Sequence, residues 1–92
     1  MVRFVNFGVV FLEQLGQEHP HFSFIVSTKI SKLANQRNRI KRALVEAVRQ
    51  SLQKIPVNYD YVFLAKREIA RKSTDEIMKE VFKAFENKSW LK

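Results

Sequence analysis

Apolar residues recur at every second position over residues 4–13, with Phe7, Val9 and Phe11 on one face and Val10 and Leu12 on the other. That period of two predicts a β-strand. A polar turn over residues 15–20 follows, with Gly16 as its break. Residues 21–29 alternate again, Phe22, Phe24 and Val26 against Ser23, Ile25 and Ser27, and the two strands are expected to pair as a hairpin. The period then lengthens. Ile40, Ala43, Leu44, Ala47, Val48, Ser51 and Ile55 form one stripe at helical spacing, which predicts a helix over residues 35–54, capped by Asn35 or its neighbour and ended by Pro56. Residues 59–65 are apolar on both faces, the pattern of a central strand. Ser73-Thr74-Asp75-Glu76 reads as a capping box opening a second helix that buries Ile77, Val81, Ala84 and Phe85 and frays beyond Asn87.

Strand, strand, helix, strand, helix within 92 residues, without repeat or linker, makes one α+β domain over residues 1–92. A hydrophobic content of 46% with eight Phe is enough for a packed core. There is no cysteine, which removes disulfides, thiolate nucleophiles and thiolate zinc sites and fits a reducing cytoplasm. The apolar opening over residues 2–12 is too short to span a bilayer and is interrupted by Arg3 and Asn6. It also lacks the small-residue cleavage site of a signal peptide before His19.

Charge changes the picture most. Lys and Arg number 17 against 9 acids, for a formal charge of +8. Residues 29–49 hold seven cations (Lys29, Lys32, Arg37, Arg39, Lys41, Arg42, Arg49) and one acid, Glu46, so +6 of the +8 lies there. Four of these cations fall in Arg37-Asn38-Arg39-Ile40-Lys41-Arg42, at the mouth of the first helix. Guanidinium forks at a helix start, where backbone amides already favour anions, make a phosphate-binding surface. Nucleic acid is the leading partner class, well ahead of an anionic membrane. Arg37 and Lys41 lie nearer the border of the buried stripe, where they could look into a groove between helix and sheet; Asn38, Arg42 and Arg49 lie opposite it.

The chain resembles the protein component of bacterial ribonuclease P from about His19 to Val81. The likeness rests on Val26-Ser27-Thr28-Lys29, on Ala34-Asn35-Gln36 leading into the Arg37-Asn38-Arg39 signature with Ile40-Lys41-Arg42, on Asp60-Tyr61-Val62-Phe63-Leu64-Ala65-Lys66, and on Ser73 at the last helix. Family members are usually longer and open with a basic helix ahead of the first strand. None precedes it here, so the resemblance implies a substrate cleft that is incomplete or differently built, with Phe4 and Phe7 as substitutes. Thr28-Lys29 stands where members commonly carry two lysines, and Ala43 and Val45 where they carry further arginines; both changes thin the basic surface.

The resemblance implies a two-layer α/β sandwich, ribosomal-protein-like, with a small mixed sheet and a left-handed strand–helix–strand crossover. Handedness is not readable from the pattern, because right-handed crossovers are the default. It also implies a subunit with no catalytic residues of its own, cytoplasmic and monomeric within a ribonucleoprotein. A catalytic RNA with bound Mg2+ removes the 5′ leader of precursor tRNA, and the protein binds that RNA through the signature helix and holds the leader in a cleft.

The RNA-contact candidates are therefore Lys29, Lys32, Arg37, Asn38, Arg39, Lys41, Arg42 and Arg49, set against the plain alternative of a solvated helix face. Ser27 matches a cleft position of the family. Phe7, Phe11, Phe22 and Phe24 are core residues first, and any that escapes the core is a base-stacking candidate. Lys66, Arg67, Arg71 and Lys72 form a second basic cluster, as consistent with a solvated loop as with RNA contact. His19 and His21 flank Pro20 in a turn and read as structural or solvated. Trp90, past the second helix, has no role legible in the sequence.

Three rivals remain. The first is a generic RNA-binding, ribosomal-protein-like module without a leader cleft. A DNA-binding helix lacks a helix-turn-helix partner, and a stand-alone nuclease lacks any acid–base constellation.

Overall fold

A computed structural model describes residues 1–91. Its elements run β1 (Val2–Arg3), β2 (Phe7–Glu13), β3 (His21–Ile25), α1 (Ala34–Gln50), β4 (Tyr59–Ala65) and α2 (Thr74–Glu86), with 3-10 turns at Leu52–Lys54 and Arg67–Arg71. The sheet order is β1-β2-β4-β3. β4 is central as its two-faced apolar pattern predicts, antiparallel to β2 and parallel to β3. Phe11 faces Tyr61 across one ladder and Phe22 faces Tyr61 across the other.

The expected hairpin does not form. β2 and β3 are separated by β4, and the chain returns from β3 through α1 to a parallel neighbour. Burial explains the order: Tyr59, Tyr61 and Phe63 are all buried on one face while Val62 and Leu64 are half-buried on the other. A strand this apolar loses most by lying at an edge. β3, whose alternate residues are Ser23 and the half-exposed Ile25, takes the edge instead.

Both helices cover a single face of the sheet, where α1 and α2 pack against one another. The whole predicted stripe of α1 and its extension, from Ile40 through Ser51 to Ile55, is buried. So are Ile77, Val81, Ala84 and Phe85 of α2, which meet Phe7, Val9, Tyr61 and Phe63 of the sheet. Val10 and Leu12 point to the uncovered face.

The helix starts differ. α2 has the predicted box: Ser73 Oγ accepts from the Glu76 amide and the Glu76 carboxylate accepts from the Ser73 amide, both at 3.1 Å. These bonds hold the Glu76 carboxyl below its ordinary range. For α1 the expected Asn35 cap is absent; the helix opens one residue earlier, at Ala34, with Leu33 before it and no side-chain cap. Gly16 adopts φ 79° in the β2–β3 turn, the left-handed region that favours glycine.

The N-terminal strand is shorter than expected and breaks at residues 4–6. There the Glu80 carboxylate accepts from the Val5 and Asn6 amides at 2.9 and 3.1 Å, and Lys66 Nζ donates to Phe4 O at 2.6 Å. Trp90 closes the core beside β2. Its ring meets Phe4, Phe11 and Phe85 with centroids 5.6–5.7 Å away, and its Nε1 donates to Ala84 O at 2.8 Å. Among the described residues no helix is long and apolar enough to cross a membrane.

Candidate nucleic-acid interface

Cations around the start of α1 fall into two groups once their partners are known. Lys29, Lys32, Lys41 and Arg42 are exposed, and among the described residues none has a hydrogen bond or ion pair. Uncompensated cations clustered at one end of a helix repel each other unless an anion joins them. Lys29 and Lys32 come from the segment between β3 and α1, and Lys41 and Arg42 from the second turn of the helix. Asn38, Lys41, Arg42, Val45 and Glu46 border one open hollow of about 610 Å³ on the outer side of α1.

Arg37 and Arg39, the arginines of the signature, belong to the other group and are half-buried. Arg37 Nη1 donates to Ser31 O at 2.8 Å, and Arg39 Nη1 donates to Lys72 O at 3.1 Å, 33 residues away. Both therefore brace the backbone around the helix start, and each guanidinium keeps further donors.

Arg49 is exposed but engaged. Its Nε donates to Glu46 at 3.0 Å, and Gln50 donates to the same carboxylate at 2.7 Å. The Arg49 and Gln50 hydrogen bonds lower the Glu46 carboxyl to about 2. The pair is close to neutral as a unit, which sets Arg49 apart from the free cations.

The aromatic candidates separate by place in the sheet. Phe22 and Phe24, on the edge strand, form the floor of an apolar groove of about 200 Å³ whose helix wall is Val45, Val48, Arg49 and Leu52. The two rings lie nearly parallel with centroids 6.3 Å apart, backed by Tyr61 and Phe63 at 5.3 and 5.2 Å. Val45 borders both this groove and the hollow beside Lys41 and Arg42, so the two adjoin on the helix surface.

Phe7 does not belong to any cleft: it is fully buried against Phe4 and Phe63. Phe11 packs under Trp90 and against Tyr59, on the β2 side away from the groove. Ser27 is exposed in the turn after β3, where its carbonyl accepts from the Ile30 amide.

The second basic cluster also divides. Lys66 is spent on Phe4 O. Arg67 and Arg71 are exposed and have no hydrogen bond or ion pair among the described residues. His21 Nδ1 lies 3.0 Å from Asp60 Oδ1 and 3.0 Å from Gln17 Oε1 on the open face of the sheet, a structural contact invisible in sequence because Asp60 is 39 residues away. Among the described residues no group of three or more His, Asp or Glu side chains is placed to hold a metal ion, so none is assigned to one.

Fold and site together define a small basic α+β domain whose uncompensated cations adjoin an aromatic groove beside the crossover helix. Residues 2–89 match the family model described as Ribonuclease P, and the chain belongs to that family. It is 35% identical over 88 residues to the ribonuclease P protein component of Fusobacterium nucleatum, covering 91% of this chain and 78% of that protein. The same component from Haemophilus influenzae is 44% identical over 54 residues, and the match spans 59% of this chain but 44% of the relative. Among solved structures, the ribonuclease P protein of Staphylococcus aureus superimposes with a TM-score of 0.83 at 24% identity, over 92% of this chain and 76% of that one. That of Thermotoga maritima, in complex with 1-(4-fluorophenyl)-2-thiourea, gives 0.82 at 20% identity, over 94% and 82%. These two likenesses establish the α+β fold.

Proposed function

We propose that this chain acts as the protein subunit of ribonuclease P, binding the catalytic RNA with the cations around the start of α1 and the 5′ leader of precursor tRNA in the adjoining groove. The observation that carries the reading is that a hollow bordered by unpaired Lys41 and Arg42 adjoins, across Val45, an apolar groove floored by Phe22 and Phe24. A folded RNA meets the first as a phosphate array. A single strand leaving it can lay bases on the second, where aromatic stacking is worth about 1–3 kcal/mol per base.

In this reading the hydrolysis of the phosphodiester belongs to the RNA, which holds the Mg2+. The protein, one copy per ribonucleoprotein in the cytoplasm, lowers the repulsion between two polyanions and so the Mg2+ they require. Its groove favours precursor over mature tRNA, because only the precursor carries a leader.

The test is precursor-tRNA cleavage by the cognate catalytic RNA at limiting Mg2+, with and without protein, alongside binding of precursor and mature tRNA. Stimulation together with tighter binding of precursor supports the proposal. Equal cleavage with and without protein would reduce the chain to a generic RNA-binding module, and equal affinity for the two tRNAs would remove the leader groove.

A further inference from the structure

The basic mouth of α1 and the turn at Arg67–Arg71 are distant in sequence, yet a run of hydrogen bonds fastens one to the other. The Leu33 amide donates to Ser31 Oγ at 3.2 Å, and that hydroxyl donates to Gln36 Oε1 at 2.6 Å. With its oxygen fixed in this way, the Gln36 amide directs Nε2 at Ala70 O, 2.9 Å away. Further along both segments, Arg39 Nη1 reaches Lys72 O at 3.1 Å. Arg37 completes the set by donating to Ser31 O. Side chains at the helix start thus take two carbonyls, those of Ala70 and Lys72, of the limb that follows Ile69.

This limb has a separate anchor. Ile69 is fully buried, and its amide donates to Lys66 O at 3.0 Å while its carbonyl accepts from the Lys72 amide at 3.1 Å. The core therefore holds the turn in place whether or not Gln36 and Arg39 reach it. What the two side chains fix is its direction, and with it where Arg67 and Arg71 stand. These guanidiniums border an open hollow of about 380 Å³ with Glu68 and Lys72. Lys72 Nζ is 3.9 Å from Glu76 Oε2, so the unspent positive charge of the hollow rests on Arg67 and Arg71, with the Glu68 carboxylate beside them.

We propose that Gln36 and Arg39 are positioning residues that lock the Arg67–Arg71 turn beside the basic helix mouth, so that cations from two distant segments meet the phosphates of one RNA as a single surface. This rests on the RNA-binding function proposed above and adds an assignment to it. Part of what Arg39 contributes to RNA binding passes through Arg67 and Arg71, and Gln36, which has no charge, contributes to an electrostatic interaction.

A neutral substitution separates this from direct contact. Gln36→Met keeps length and charge and removes the bond to Ala70 O. Removing one phosphate contact makes the log–log dependence of affinity on salt shallower by about 0.9 on a duplex and about 0.7 on a single strand. Binding of the catalytic RNA from the source genome is measured across a salt series for wild type, Gln36→Met, Arg67→Ala/Arg71→Ala and the triple variant, with thermal melts of each.

The expected result is a Gln36→Met slope shallower than wild type by one to two contacts, with a folded protein. In the Arg67→Ala/Arg71→Ala background the same change should have no further effect, since residues acting through one another are non-additive. Arg39→Ala should likewise lose more than one contact alone and no more than one in that background. A Gln36→Met protein with wild-type affinity and slope, or effects that add in full, would overturn the positioning role while leaving RNA binding intact. A wild-type chain with no preference for this RNA over arbitrary duplex would overturn both.

Discussion

Replacing Lys41 and Arg42 together by alanine should cost RNA affinity and almost nothing in stability. Neither side chain has a partner among the described residues, and both are exposed on α1 beside the same hollow. Alanine is the better helix former at such positions, so the folded state loses no bond and the change in stability stays within about 0.5 kcal/mol. On the RNA side two phosphate contacts disappear, which makes the salt dependence shallower by about 1.8 on structured RNA. Over a fourfold rise in salt one contact accounts for about a 3.5-fold change in affinity, and the pair for about twelvefold.

Fluorescence anisotropy of labelled catalytic RNA across a potassium chloride series reads the slope, and a thermal melt followed by Trp90 emission reads the stability. Arg37→Ala is the contrast. It loses the half-buried bond to Ser31 O, worth about 1 kcal/mol, which in a domain of this size lowers Tm by about 4–8 °C. An unchanged slope in the Lys41→Ala/Arg42→Ala protein, or a melt as low as that of Arg37→Ala, would refute the assignment of these two cations to the interface.

Phe24→Leu keeps an apolar groove floor but removes a stacking face, and should narrow the preference for precursor over mature tRNA by about 1 kcal/mol or more, roughly fivefold, with little change in binding of the catalytic RNA. Ser73→Ala removes the cap of α2 and should lower Tm by about 4–8 °C, whereas Ser73→Asp should retain most of it. The depressed Glu76 carboxyl contributes stability above its unfolded pKa, near 4.5, and that contribution is lost as pH falls through the lower folded value. Glu76→Gln should therefore flatten the loss of Tm between pH 6 and pH 3. Trp90→Phe keeps the aromatic packing but loses the bond to Ala84 O, and should cost about 1 kcal/mol in a denaturant melt.

Much of the fold and of the candidate surface was legible because the signals are local. The α1 stripe, the two-faced β4 and the Ser73–Glu76 box each depend on residues within a few positions of one another, and each stands where its pattern places it. The charge excess over residues 29–49 is a property of the chain in any fold. Spacing gave no such guide to the cap of α1. Ser31, two residues before Leu33, bonds the Gln36 side chain instead of serving as the cap, and the carbonyl that Gln36 reaches belongs to Ala70, 34 residues away.

The sequence alone determined a small basic α+β domain, its helices, its core stripe and its cation-rich helix start. Tertiary structure decided which strands are neighbours, which aromatic rings are exposed and which arginines are free. Phe7 and Phe22 have the same side chain and the same period-two setting, yet Phe7 lies on an inner strand under both helices while Phe22 lies on the edge strand beside a groove. Arg39 and Arg42 sit in one hexapeptide, yet only Arg39 finds a carbonyl, 33 residues away, to bind. Strand order and contacts of that range are set by how apolar faces share one core. Nothing in a local window of residues encodes that sharing.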